Sequence, residues 1–306
     1  MTVRLGTRGS ALALAQSRLV ADALTAATGE PVELVEIVTD GDRSSRPVVQ
    51  LGVGVFVSAL REALHAKEID VAVHSYKDLP TAPADGLAIA AVPQRADPRD
   101  ALVTRDGRAL AELTPGTRVG TGSPRRISQL LALGLGLECV PVRGNVDTRL
   151  RKVAAGELDA VVVAAAGLAR LGRLDEATEL LDPGLMLPAP AQGALAVECR
   201  ATDPDLIDLF GPLDDETSRA RVAAERALLA ALEAGCSAPV AGLADASETE
   251  DGTWEIYLRG AVLSLDGSNV VRLSGTGTLT DAAGVGSRLA AELLAEGADH
   301  ILGVPE

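Results

Sequence analysis

The stretch RLGTRGS at residues 4–10 decides the fold, because a close copy, RVGTGS, returns at residues 118–123. A second pair follows in the same order: EIDVAV at 68–73 resembles ELDAVV at 157–162. A strand and turn that recur together at matched positions indicate two copies of one supersecondary unit. The sequence therefore predicts two similar α/β halves.

In each half, the repeat starts with a short apolar strand that ends in Gly-Thr. A tight turn follows and leads to a serine, Ser10 or Ser123. A serine at that point caps the next helix and leaves backbone N–H groups free to bind an anion. Such junctions are common in α/β proteins, and most of them bind nothing. The presence of two matched junctions favours a pair of anion-binding sites.

The remaining pattern separates an α/β region from a small C-terminal region. Through most of residues 1–200, short apolar strands alternate with helical patterns, which predicts α/β layers with largely parallel sheets. Beyond them the pattern predicts a helix at 218–233, strands at 254–264 and 270–278 joined around Asp266-Gly267, and a helix at 282–296. We expect a small α+β domain there.

The composition excludes some classes of function. Apolar residues make up 47% of the 306 residues but aromatic residues only 2%, which predicts a core of mainly Ala, Val and Leu and leaves few platforms for stacked bases. The formal charge of −15 is opposite to what a phosphate backbone attracts. We therefore expect no nucleic-acid partner.

Membrane, secretion and metal signals are also lacking in the sequence. The longest apolar stretch, around 161–168, is well short of the roughly 20 residues that cross a bilayer. The N-terminal residues show no signal-peptide pattern, and three cysteines at wide spacings suit neither a disulfide framework nor a metal site. The sequence predicts a cytoplasmic protein with no membrane partner and no metal.

A basic run lies between residues 117 and 152, where the acidic residues are only Glu138 and Asp147 and the basic ones are Arg118, Arg125, Arg126, Arg143, Arg149, Arg151 and Lys152. The ordinary explanation is a solvated face with ion pairs to acidic neighbours. The segment SPRR at 123–126, however, places both guanidinium groups in the first turn of a helix, where they oppose the helix dipole. A bound carboxylate or phosphate would offset that conflict.

The segment HSYKDLP at 74–80 follows an apolar strand, so its polar residues stand at the carboxyl end where α/β sheets bind ligands. Asp78 is a candidate carboxylate for stabilising a positive intermediate or relaying a proton. An Asp that simply starts a turn before Pro80 is an equal alternative. His74 fits a packed strand histidine better than a catalyst.

Cys236 differs in context from the other cysteines. Cys139 and Cys199 lie in strand-like runs, where a thiol usually serves as a small core residue. Cys236 follows Gly235, which ends an Ala- and Leu-rich helix, and precedes a loop. A loop thiol near cations can form a covalent bond. A buried or idle cysteine remains the alternative.

Five segments together make the chain resemble the hydroxymethylbilane synthase (porphobilinogen deaminase) family, and they occur in the family's order across nearly the whole chain: residues 74–80, 119–126, 143–149, 187–194 and 233–239. The resemblance implies an α/β fold of two periplasmic-binding-protein-like domains, 1–95 with 191–213 and 96–190. It also implies a small C-terminal α+β domain, 214–306, that carries the cofactor cysteine. A monomer is expected.

The activity that the resemblance implies is the stepwise head-to-tail condensation of four porphobilinogen molecules, each losing ammonia, onto a covalently bound dipyrromethane cofactor. A thioether to Cys236 holds that cofactor, and water finally releases the linear tetrapyrrole. Asp78 is the implied catalytic residue, because its carboxylate stabilises the cation that forms when ammonia leaves. A binding protein without catalysis is the competing hypothesis, but it has no use for a covalent anchor.

The matching positions imply further site residues. Those for the cofactor, besides Cys236, are Ser75, Lys77, Asp78, Thr121, Ser123, Arg125, Arg126, Arg149 and Asp42. Those for the substrate are Arg8, Ser10, Phe56, Arg143, Arg149, Arg170 and Gln192. A stretch rich in Gly, Ser and Arg, 40–55, is the expected lid. Its glycine turn at 51–54 lacks the lysine of many relatives, and Gly9 stands where many have a basic residue.

Overall fold

A computed structural model of the chain describes residues 2–37, 55–233 and 238–303, with the backbone alone at 55 and 56. These residues form two units, Met1–Ala96 with Ala194–Arg219 and Asp97–Gly193 with Ala220–Glu306. The predicted division into three domains is finer than this and stays a prediction.

The strands of the described residues are, in chain order, β1 (Val3–Thr7), β2 (Val32–Glu36), β3 (Val71–Ser75), β4 (Leu87–Ala91), β5 (Asp100–Thr104), β6 (Arg118–Gly120), β7 (Glu138–Val140), β8 (Ala160–Ala164), β9 (Glu179–Leu180), β10 (Leu195–Arg200), β11 (Val240–Glu248), β12 (Trp254–Leu263) and β13 (Val270–Thr278). The helices are α1 (Ala11–Thr28), α2 (Val55–His65), α3 (Pro124–Ala132), α4 (Val146–Ala154), α5 (Ala165–Arg170), α6 (Pro204–Phe210), α7 (Glu216–Ala231), α8 (Ala282–Leu293) and α9 (Asp299–Leu302).

Two five-stranded sheets have the same pattern of strand directions, although their fourth and fifth strands come from different points in the chain order. The first unit has the order β2-β1-β3-β10-β4, and the second has β7-β6-β8-β5-β9. In each, the first three strands are parallel and the fourth joins them in the opposite direction. The repeat in the sequence therefore predicted the twin halves correctly.

The prediction of largely parallel sheets was wrong in part. Strand β10 runs antiparallel to both β3 and β4, and β5 runs antiparallel to both β8 and β9. Each sheet is mixed. An apolar run buried on both faces has the same pattern whichever way it runs, so hydrophobicity could not reveal the direction.

Both repeated junctions form as strand, turn and helix. Ser10 caps α1, and its Oγ accepts a hydrogen bond from the Ala13 N–H at 3.3 Å. Ser123 occupies the same position before α3, with Pro124 as the first helical residue. The Ser123 side chain makes no capping bond to the described backbone, and its own N–H donates to Thr121 Oγ1 at 3.2 Å. The caps are thus confirmed in position, but only Ser10 caps with its side chain.

The C-terminal region is an antiparallel sheet, β11-β12-β13, with α7 and α8 packed in its core. The strands and helices predicted for it from the sequence are confirmed within a few residues. Strand β11 was not predicted, because Val240–Glu248 is buried on both faces at its start and lacks apolar alternation.

Aliphatic residues fill the core of the described chain, as the composition predicts, and Phe210 is the one aromatic side chain among the largest buried ones. In the ranges that the structure describes, none of the helices combines the length and apolar character needed to cross a bilayer.

Candidate functional site

The Asp78 segment is a hydrogen-bonded turn at the end of β3. Strand β3 runs directly into a short 3-10 turn, Tyr76–Asp78, and the Leu79 N–H donates to the Tyr76 carbonyl at 3.2 Å. Leu79 is buried against Val57 of α2 and Ala196 of β10. The Asp78 side chain is exposed. The turn is therefore anchored by an apolar side chain while the carboxylate faces solvent.

Ser75 is held by a residue that sequence reasoning missed. Gln16 of α1 is buried, and its Nε2 donates to Ser75 Oγ at 2.9 Å. The Ser75 hydroxyl lies 3.2 Å from Gln16 Oε1, within reach to donate in return. The helix that Ser10 caps is thus tied to the last residue of β3, just before the turn that carries Asp78. A glutamine inside the apolar run of α1 was the available signal.

His74 is a packed histidine, as the sequence suggested. It is buried in β3, and its Nε2 lies 3.2 Å from Oε2 of the buried Glu198 but off line for a hydrogen bond. Arg61 donates to both Glu198 oxygens from Nε, at 3.2 and 3.1 Å. Burial raises the pKa of Glu198, but His74 and Arg61 lower it by more, so the pKa lies below its usual value.

The predicted site residues fall in both units. Arg8, Ser10, Ser75, Lys77 and Asp78 belong to the first unit, and Thr121, Ser123, Arg125, Arg126, Arg143, Arg149, Arg170 and Gln192 to the second. Asp42, Cys236 and nearly all of the expected lid lie outside the described residues, as does the side chain of Phe56.

Arg125 and Arg126 share a buried carboxylate. Arg125 Nη2 donates to Asp100 Oδ2 at 2.8 Å, and Arg126 donates to Asp100 Oδ1 from Nη2 at 2.7 Å and Nε at 3.1 Å. All three side chains are nearly or completely buried. Asp100 begins β5 and was missed, because only the fold brings it to the first turn of α3.

Gln192 completes this cluster. It is fully buried, and its Nε2 donates to Asp100 Oδ1 and to the Pro98 carbonyl, each at 2.8 Å. Three side chains therefore donate to the single Asp100 carboxylate. Burial raises the pKa of Asp100, but the charges of Arg125 and Arg126 and these hydrogen bonds outweigh it and hold the pKa well below its usual range.

The alternative explanation, a solvated face, does not apply to Arg125 and Arg126, since they are buried. The positive charges of Arg125 and Arg126 do oppose the dipole of α3, as predicted, and the negative charge of Asp100 offsets part of this repulsion. Arg143, by contrast, is exposed, and the sequence's ordinary explanation suits it. Thr121 is fully buried and serves the turn through its Oγ1.

Positive charge remains in excess around this cluster. Arg149 is half-buried, and its Nε donates to the Gly144 carbonyl at 3.0 Å. Burial, and then the nearby charge of Arg126, lower the pKa of Arg149. Burial also lowers the pKa of Arg125. Two guanidinium groups thus share one carboxylate, and Arg149 adds a further positive charge within electrostatic reach of Arg126.

Arg125 also retains a buried donor without a partner. Its Nη1 donates to the Leu187 carbonyl at 2.7 Å and its Nη2 to Asp100, but its Nε has no hydrogen-bond partner among the described residues. A buried donor of this kind is unfavourable until an acceptor occupies it. The local chemistry therefore suits an anionic oxygen ligand.

Arg170 is a second desolvated cation of this unit. It follows β8 at the end of α5, is half-buried, and donates from Nη2 to the Gly193 carbonyl at 2.6 Å. Burial lowers the pKa of Arg170 to about 10. The partner that the structure describes for this charge is a neutral carbonyl group. The Arg170 guanidinium is therefore suited to binding a further anion.

Comparison with known proteins gives matches over most of the chain. The family described as "Porphobilinogen deaminase, dipyromethane cofactor binding domain" matches residues 3–208, and "Porphobilinogen deaminase, C-terminal domain" matches residues 219–295. The chain is 60% identical to the porphobilinogen deaminase of Mycolicibacterium paratuberculosis over 98% of this chain and 96% of that protein. It is 59% identical to that of Mycobacterium tuberculosis over 98% of each.

Solved structures give weaker similarity. A periplasmic substrate-binding protein of an ABC transporter from Coxiella burnetii is 13% identical, with a TM-score of 0.44 over 69% of this chain and 91% of that chain. The methionine-binding protein MetQ is 14% identical, with a TM-score of 0.41 over 69% and 89%. At these values the structural likeness carries no weight, and the sequence matches are the informative comparison.

Proposed function

Because this chain belongs to the porphobilinogen deaminase family, we propose that its arginine cluster binds the carboxylates of the cofactor and of the growing chain, and that Asp78 serves the reacting pyrrole. The chain is a transferase of tetrapyrrole biosynthesis that forms hydroxymethylbilane from porphobilinogen. Its family uses a dipyrromethane cofactor.

The unpaired Nε of Arg125, inside a buried cluster of excess positive charge, is the observation that carries this proposal. Every porphobilinogen ring carries an acetate and a propionate, and the dipyrromethane is built from the same rings. Carboxylates are the acceptors that guanidinium groups bind most strongly, and a desolvated site strengthens such bonds. Arg125, Arg126 and Arg149 therefore fit the cofactor's side chains.

The other donors supply the rest of the binding. Ser123 suits a carboxylate because its hydroxyl makes no cap, and Ser75 is oriented by Gln16. Lys77 stands beside Asp78 in the same turn. Thr121 supports the turn before α3, while Asp42 has an assigned role that rests on the family resemblance alone. Each of these residues would help to orient the pyrroles through their carboxylates or ring N–H groups.

For the substrate, we assign Arg8, Ser10, Phe56, Arg143, Arg149, Arg170 and Gln192. Arg170 is the best supported of them, because its desolvated charge has the Gly193 carbonyl as its described partner. Gln192 acts indirectly, since its amide is committed to Asp100 and Pro98. It therefore holds the carboxylate that orients Arg125.

Asp78 is assigned the chemistry. When bound, the cofactor supplies the free pyrrole α-carbon that attacks the substrate after ammonia leaves. A carboxylate on a turn that is fixed by Leu79 can accept hydrogen bonds from pyrrole N–H groups and stabilise the cation as it forms. It can also accept the proton that the pyrrole α-carbon loses after the new carbon–carbon bond has formed. The buried Leu79 anchors the backbone beneath that carboxylate.

Cys236 is assigned the covalent attachment of the cofactor by a thioether. The two described cysteines suit that role poorly, because burial raises the pKa of the Cys139 thiol and raises that of Cys199 to about 11. A thiolate is the nucleophilic form of cysteine. We further propose that the protein acts as a cytoplasmic monomer without nucleic-acid or membrane partners, with residues 40–55 as a lid.

Removing the anchor should remove the cofactor's mass. The intact mass of the denatured parent should exceed that of Cys236→Ala by a dipyrromethane, beyond the difference between the two side chains. Incubation with porphobilinogen before weighing should load any apo-protein in the parent sample but leave Cys236→Ala unchanged. Equal masses, corrected for the side chain, after that incubation would contradict the anchor and favour a binding protein without catalysis.

Replacing Arg125 should reduce covalent loading of the cofactor in a protein that still folds, because Arg126 and Gln192 continue to donate to Asp100. Arg125→Met keeps the aliphatic stem but removes the donors for Asp100, Leu187 and the proposed carboxylate. We expect the loaded fraction, measured by intact mass, to fall at least about tenfold, since charge-assisted bonds are the strong ones. Arg118→Met is the matched control, because Arg118 is exposed on β6 in the same basic run. Equal loading of the two variants would count against the assigned role.

A further inference from the structure

Gln129 is a buried amide that the proposed steps do not use. It lies on α3, one turn after Arg125, and is 2% exposed. Its Oε1 accepts from the Leu187 N–H at 2.8 Å, and its Nε2 donates to the Leu187 carbonyl at 3.0 Å. One side chain thus satisfies both backbone polar groups of one buried residue, an arrangement that fixes the spacing of two segments.

The same carbonyl helps to orient Arg125. Leu187 O accepts from Arg125 Nη1 at 2.7 Å as well as from Gln129 Nε2. The Arg125 guanidinium is then held at one end by Leu187 and at the other by Asp100, so the direction of its free Nε–H is determined. The Leu187 clamp is our name for Gln129, Arg125 and the Leu187 backbone.

The clamp is anchored on its other side by the C-terminal region of the same unit. The Leu187 side chain is buried with Ala241, Leu243 and Leu263, among others. The adjoining Pro188 carbonyl accepts from the Gly242 N–H of β11 at 2.9 Å. Strand β11 is the first strand after Cys236 in the sequence. The clamp therefore connects α3, which carries Arg125, to β11, the strand that follows Cys236 in the sequence.

We propose that Gln129 is a positioning residue for cofactor attachment. Through Leu187 it sets the position of α3 relative to β11. In that position the free Nε of Arg125 can bind a carboxylate of a cofactor that is anchored at Cys236. The inference rests on the function proposed above for Arg125 and Cys236. Gln129 itself does not touch the cofactor.

The test is the rate at which apo-protein, incubated with porphobilinogen, gains the cofactor's mass. Gln129→Met has similar size but loses the hydrogen bonds to Leu187, and we expect it to load at least about tenfold more slowly than the parent. Leu130→Ala is the control for general weakening of α3, because Leu130 is fully buried on the same helix but packs in a different apolar cluster from Leu187. It should load clearly faster than Gln129→Met.

A second measurement uses the parent chain alone, so it does not depend on a variant folding. Coupling between two interactions is reciprocal. If the clamp favours binding of the cofactor, the bound cofactor must also stabilise the hydrogen bonds of the clamp. Amide hydrogen exchange at Leu187 should therefore be slower in the loaded parent than in Cys236→Ala. Equal exchange, or equal loading rates of Gln129→Met and Leu130→Ala, would overturn the inference while leaving the function standing. A parent that gains no mass would overturn both.

Discussion

Replacing Asp78 with Asn is expected to lower kcat at least about 100-fold while the thermal unfolding midpoint stays at the parent's value. The side chain is exposed, and the turn beneath it is held by the buried Leu79, so the substitution removes charge without removing packing. Asparagine has nearly the same shape but cannot hold a negative charge beside a developing cation. The measurement is single-turnover consumption of porphobilinogen by protein whose cofactor content has been checked by mass.

The control for this prediction is Asp85→Asn, which removes an exposed aspartate a short way along the same unit. It should leave both kcat and loading unchanged, because general surface charge has a small effect on chemistry at a fixed site. If Asp78→Asn keeps activity within a few fold of this control, Asp78 is only the turn residue that its position before Pro80 also allowed.

Replacing Asp100 with Asn should have the largest effect on stability. It leaves Arg125 and Arg126 buried without their carboxylate, and removing one member of a buried ion pair costs about 3 kcal/mol or more. We expect a clear fall in the urea midpoint for the unit that contains it. Cofactor loading should fall as well, because Arg125 loses one of the two acceptors that orient it.

The pH dependence of this loss follows from the direction of the shift. Arg125 and Arg126 hold the pKa of Asp100 below its usual value despite burial, so the stabilisation is fully present above the unfolded value of about 3.9 and is lost as pH falls through the folded pKa. The difference in stability between parent and Asp100→Asn should stay constant from neutral pH to about pH 5 and shrink only in stronger acid.

Asp97→Asn is the matched control, since Asp97 pairs with Arg99 at 2.6 Å but both side chains are partly exposed. A pair of that kind contributes at most about 1 kcal/mol. If the two aspartate variants shift the urea midpoint equally, the buried cluster does not hold α3 in place, and the structural basis for assigning Arg125 to the cofactor weakens with it.

Local patterns accounted for much of the architecture. The repeat at residues 4–10 and 118–123 predicted the twin halves, and the capping positions of Ser10 and Ser123 followed from turn chemistry. Such features depend on neighbours in the sequence, so a single chain reveals them. The strand β11 was missed because its buried start shows no alternation.

The sequence by itself determined the twin α/β halves, the polar turn after β3, the excess of basic residues between 117 and 152, and the family. Only the tertiary structure decided which groups those residues meet. Asp100 reaches Arg126 from 26 positions away, and Gln16 reaches Ser75 from 59. The physical reason is that turns and caps are fixed by adjacent residues, whereas the partner of a buried charge is chosen by strand order and helix packing, which bring together segments that share no local signal.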